Sequence, residues 1–145
     1  MERPTLNNYY VNIAMAVAAR STCLKRHYGA VIVKNNEVIS TGYNGSPAGE
    51  PHCELCTKVG NDKDMAEYTS CPAVHAEMNA IISASRRDMI GSTLYLACDK
   101  VGVGRLPAEP CEICLRLIKN AGINEVVNDI GIIYKRDDKG ILRRV

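Results

Sequence analysis

The sequence predicts an α/β fold of three layers, a mixed β-sheet with helices on both faces. Three observations predict it. Apolar residues recur with helical spacing in three segments, and β-branched runs lie between those segments. A strand–helix–strand unit at 92–128 calls for a right-handed crossover. With 145 residues and no repeat, low-complexity stretch or linker, residues 1–145 read as a single domain able to bury a core.

Residues 5–21, TLNNYYVNIAMAVAARS, set Tyr9, Ile13 and Val17, and Tyr10, Ala14 and Ala18, four apart on a helical face, with Thr5 as cap after Pro4. GAVIVKNNEVISTGY at 29–43 predicts two strands joined by the turn Lys34-Asn35-Asn36-Glu37. Residues 44–73 are rich in Gly, Pro, Cys and charge without a period, which predicts a long loop of the kind that is usually functional or constrained. A second helix is expected over 75–87, a strand over 92–98 and a Gly- and Pro-marked loop over 99–110. A third helix follows at 111–122, closed by Gly122, then a strand at 123–129 and one more from Gly131 onward. The order is α-β-β-α-β-α-β.

Composition excludes several functions. A net charge of +2 is too mild for a duplex-binding surface, and with no Trp or Phe only seven tyrosines remain for base stacking. Nucleic acid is therefore not the expected partner. The longest nearly apolar run, VNIAMAVAA at 11–19, is far short of a membrane span, so a cytoplasmic protein without a membrane partner is expected. In that reducing compartment the seven cysteines, an odd count, read as ligands rather than disulfides.

Two motifs carry chemistry. His75 in VHAEMNA opens the second helix, and Cys111 and Cys114 in EPCEIC lie one turn apart at the start of the third, behind Pro110. One His and two Cys give Zn²⁺ three protein ligands and leave a fourth tetrahedral position for water, the mark of a catalytic site. Such a water has its pKa lowered from about 15.7 to about 7. Glu77, two residues from a ligand, is placed to carry protons between that water, a ring nitrogen and a leaving amine. The competing reading from another class is a closed structural zinc in a non-catalytic binding module. It requires a fourth Cys or His and gives Glu77 no task.

H-x-E…P-C-x-x-C resembles the signature of zinc nucleobase deaminases. ARSTCLKRHYGAVIVKNNEVISTGYNGSPAGEPHC at 19–53, with HAEMNAI and PCEICLRLIKNAGI, resembles the deoxycytidylate (dCMP) deaminase family over residues 9 to about 128. The resemblance implies the cytidine-deaminase-like fold, hydrolysis of dCMP to dUMP and ammonia, and a homo-oligomer, often a hexamer. It also implies His75, Cys111 and Cys114 as zinc ligands, Glu77 as proton shuttle, Asn44 as a nucleotide contact and Arg26 as the phosphate contact. One departure is clear: DKVGVGRLPAE at 99–109 stands where the family passes quickly from strand to PCxxC. It leaves other cytosine nucleotides or nucleosides, and tRNA adenosine, as alternative substrates.

Two expectations remain. Met65, Met78, Met89 and the tyrosines are candidates for a self-association surface, or for plain core. Cys23, Cys53, Cys56 and Cys71 lie outside the catalytic set, three of them in the 44–73 loop, which holds little apolar material. Four thiolates there would close a second, structural zinc site. Some relatives carry a second zinc at corresponding positions, sometimes through a histidine, which makes His52 an alternative ligand. The competing reading is small buried hydrophobes.

Overall fold

The computed structural model describes residues 2–56 and 71–145. Helix α1, Leu6–Ala18, begins as expected, with the Thr5 hydroxyl accepting from Asn8 N at 3.2 Å. Strands β1 (Arg26–Lys34) and β2 (Glu37–Tyr43) form the expected antiparallel hairpin. Its turn residues Asn35 and Asn36 sit at φ 53° and 61°, a left-handed conformation that asparagine tolerates.

The second helix is shorter than its apolar period suggests. Helix α2 covers Ala76–Ile82, and the Ser85 hydroxyl then accepts from Asp88 N at 3.2 Å to start a one-turn helix α3, Arg86–Met89. Serine oxygen competes for backbone amides and restarts the helix in a new direction. Strand β3, Thr93–Lys100, runs further than expected. The segment 99–110 is not the simple loop its glycines and proline suggest: Val103 N donates to Lys100 O at 2.9 Å, and β4, Gly104–Leu106, folds back to pair with Cys98–Lys100. A three-residue strand has no period to read. Helix α4, Glu112–Ala121, ends where expected, at Gly122 with φ 85°. Strand β5 is Glu125–Val127, and the tail adds two strands rather than one, β6 (Ile132–Arg136) and β7 (Leu142–Arg144).

The sheet order is β2-β1-β3-β5-β6-β7, with β4 paired to the end of β3. Among the described residues only β3 and β5 pair in parallel, so the sheet is mixed as expected. Side chains alternate cleanly between its faces. Val31, Val33, Tyr95, Ala97 and Val127 pack on Tyr10, Val11 and Ala14 of α1. Ala30, Ile32, Leu94, Leu96 and Val126 pack on the other face, with Ala76, Ala80, Met89 and Ile118 from α2, α3 and α4. Met89 is therefore core; Met65 lies outside the described residues. No helix among the described residues is long and apolar enough to cross a membrane.

Two glycines set how closely the helices dock. A Cβ on Gly29 of β1 would overlap the Ala14 carbonyl and Ala18 amide of α1. One on Gly42 of β2 would overlap the Ala76 carbonyl and Ala80 amide of α2. Backbone meets backbone at both places, on opposite faces of one hairpin. The buried Ser40 hydroxyl adds a 2.6 Å bond from β2 to Ala80 O.

Candidate metal centre and active site

His75 is the N-cap of α2 and Cys111 the N-cap of α4. The His75 ring makes no capping bond to its own helix and is turned elsewhere. Its Nδ1 lies 3.2 Å from Cys114 Sγ and 3.5 Å from Cys111 Sγ. The three ligand atoms fall within 4.8 Å of one another, and no other trio of His, Cys, Asp or Glu does so among the described residues. Packing of α2 against α4 over the sheet closes the 36-residue gap between the motifs.

Glu77 stands in the first turn of α2, 5% exposed, with its carboxyl in hydrogen-bonding contact with the Cys114 thiol. Burial pushes this carboxyl above the usual carboxylate range, against a smaller downward pull from its own backbone amide and from His75. A buried carboxyl beside the cluster is placed to take up and give back a proton there. The Cys111 thiol is drawn down to about 3, first by its hydrogen bond with Cys114 and, against burial, by His75. Cys114 is pushed up by that same bond, by burial and by the Glu77 charge. One imidazole nitrogen and two thiols form a donor set that fits Zn²⁺; binding would release the thiol protons.

The expected substrate contacts lie on the same side of the sheet. Arg26 and Tyr28 share the strand face of Ala30 and Ile32, which carries α2 and α4. Arg26 is half-buried, and its Nη1 donates to the Tyr28 hydroxyl at 3.3 Å. Burial, the largest influence, raises the Tyr28 phenol to about 12, while Arg26 opposes the rise. Buried Cys98 faces Tyr28 across the β1–β3 pairing. The sequence reading passed over Tyr28 and Cys98; the period of two from Arg26 along the strand was the available signal.

Asn44 is buried and braces β1. Its Oδ1 accepts from Tyr28 N at 2.8 Å, and its Nδ2 donates to Arg26 O at 2.9 Å. The carboxamide thus fixes the backbone that presents Arg26 and Tyr28, and these bonds use one of its two Nδ2 protons. The Ser21 hydroxyl holds Asn44 O at 2.9 Å.

Cys23, Cys53, Cys56 and Cys71 line one small cavity of about 30 Å³ together with Leu24, Ser46 and Pro72. Their sulfurs do not gather as the other trio does. The His52 ring is bonded through Nδ1 to the Thr22 hydroxyl at 3.2 Å. All seven cysteines are outside disulfides.

The model for the cytidine and deoxycytidylate deaminase zinc-binding region matches residues 4–129. The chain belongs to this family. It is 41% identical over 133 residues to the deoxycytidylate deaminase of Mycobacterium phage D29, covering 88% of this chain and 96% of that one. It is 37% identical to the deoxycytidylate deaminase of Schizosaccharomyces pombe, covering 86% of this chain but 37% of that longer protein. Among solved structures it resembles dCMP deaminase from the cyanophage S-TIM5 in complex with dCMP and dUMP, with a TM-score of 0.62 and 26% identity over 88% of this chain and 82% of that one. Family membership supports the zinc reading of the His75, Cys111 and Cys114 cluster and makes the protein a zinc-dependent hydrolase of cyclic amidine C–N bonds.

Proposed function

We propose that this chain, as one zinc deaminase domain over residues 1–145, hydrolyses deoxycytidine monophosphate to deoxyuridine monophosphate and ammonia. The observation that carries the reading is the convergence of His75 Nδ1 with the Cys111 and Cys114 sulfurs beside the buried Glu77 carboxyl. Bound by these three residues, zinc supplies the Lewis acidity that makes water a nucleophile near neutral pH. Glu77 takes a proton from the attacking water and delivers it to N3 of the cytosine ring. It then passes the second water proton to the amine on C4, and ammonia leaves as the carbonyl forms. A carboxyl raised by burial can carry each proton in turn.

Arg26 meets the phosphate of the nucleotide, Tyr28 supports the guanidinium, and Asn44 holds both while offering its remaining amide proton to the sugar. A site that pairs a phosphate rejects ligands without one, because its charged donors are left unmatched. The test is a panel of dCMP, dCTP, deoxycytidine and tRNA adenosine. The expected result is a kcat/KM for dCMP about 10⁴-fold above that for deoxycytidine, lost in Arg26→Ala. Comparable values for dCMP and deoxycytidine would refute the substrate, and turnover of tRNA alone would replace it.

Two further parts belong to this reading. Cys23, Cys53, Cys56 and Cys71 bind a second, structural zinc; the support is that all four line one cavity although Cys23 and Cys53 are 30 positions apart in sequence, with Leu24 and Ser46 beside them. The chain works as a homo-oligomer in the cytoplasm, where thiol ligands stay reduced. A species of 16 kDa alone in light scattering would exclude the oligomer.

A further inference from the structure

We infer that Asn128 is a positioning residue for the metal centre: it anchors, from the end of β5, the segment that delivers Cys111. This inference rests on the zinc reading above. Asn128 follows β5 and is 3% exposed. Its Nδ2 donates to Ala108 O at 2.9 Å, and its Oδ1 accepts from Ile130 N at 2.9 Å. Its backbone N donates to Gly131 O at 3.0 Å, so the side chain is held by the turn it helps to build. Ala108 is itself buried and lies three residues ahead of Cys111.

Neighbouring contacts make the same connection at both ends of that segment. Arg105 in β4 grips Asp129 with Nε 3.0 Å from each carboxylate oxygen and Nη2 2.8 Å from Oδ1, and its Nη1 donates to Asn12 Oδ1 on α1 at 3.0 Å. Beyond Ala108, Arg144 of β7 pairs with Glu109 at 3.0 Å. These two ion pairs are exposed and screened, and each is weak alone. The Asn128 bond is different, because it is buried and its loss leaves the Ala108 carbonyl without its donor. The 99–109 segment is thus tied to the β5–β7 side at Arg105, Ala108 and Glu109, just ahead of the residue that starts α4.

Asn128→Asp isolates this role. It keeps the acceptor for Ile130 N but sets an oxygen against the Ala108 carbonyl. In a competition between the zinc-loaded protein and a chromophoric chelator, Asn128→Asp should release the metal about tenfold faster than the natural chain. Val11→Ala, in the α1 face of the core, serves as the control for lost stability, with each protein assayed at the same interval below its Tm. Release no faster than in this control would overturn the inference. If Asn128→Asp does not fold, Asn128→Ser, which lacks the amide that reaches the Ala108 carbonyl, tests the same bond, and it should release zinc several-fold faster than the Val11→Ala control; a rate no faster than that control also overturns the inference. Loss of zinc binding by Cys111→Ala is judged separately, so a failure of the zinc reading is distinguishable from a failure of this one.

Discussion

The two thiol sets of this chain are built in opposite ways. His75, Cys111 and Cys114 sit at the first residues of helices whose other faces are locked into the core, and their ligand atoms gather within 4.8 Å. Cys23, Cys53, Cys56 and Cys71 line a cavity, but they come from turns and loop, where the antiparallel Gly45–Val74 bridge is the ladder contact near them. In the first set the fold alone brings the three donor atoms together. In the second, the metal would have to organise the chain. Ligands preorganised by helix packing suit catalysis, which needs a fixed geometry with an open position; loop ligands suit a clamp.

The largest way to break that contrast is Cys111→Ala. It should abolish catalytic zinc binding and reduce deamination to background while the fold persists, because the core does not depend on that thiol. Metal content equal to the natural chain would sink the ligand assignment. Next comes Gly42→Ala, which forces a methyl group into the Ala76 and Ala80 backbone and should destabilise the protein by about 3 kcal/mol in urea titration. A loss under about 0.5 kcal/mol would mean that α2 is free to shift, and with it His75 and Glu77. The smallest effect on turnover belongs to Cys53→Ser. It should remove one of two zinc ions per chain and speed proteolysis in the 44–73 segment, with only a few-fold loss of activity. One zinc per chain in fully active natural protein would remove the second site.

What could be read in advance follows the same division. The gathering of His75, Cys111 and Cys114 was legible because H-x-E and P-C-x-x-C each fix their residues locally, at a cap and one turn beyond it. The β1–β2 hairpin was legible because Asn35 and Asn36 tolerate the left-handed turn. Strand β4 was not, since its pairing with Cys98–Lys100 is a tertiary choice made over three residues. The break between α2 and α3 was hidden by an apolar period that continues through Ile81, Ile82 and Ala84. Asn128 was equally hidden: after a strand it reads as a turn residue, and only the fold reveals that its amide reaches Ala108. Asn44 was singled out through family resemblance, but its work on the β1 backbone is visible only in three dimensions.

The central claim is that the fold supplies a zinc site and Glu77 supplies the proton traffic. Glu77→Gln separates the two, because it keeps the shape of the side chain and removes its acid–base function. Zinc content and dCMP turnover should be measured on the same preparation. The account predicts one catalytic zinc retained per chain and a kcat lowered by about 10²–10⁴-fold. Near-normal turnover in zinc-loaded Glu77→Gln would contradict it.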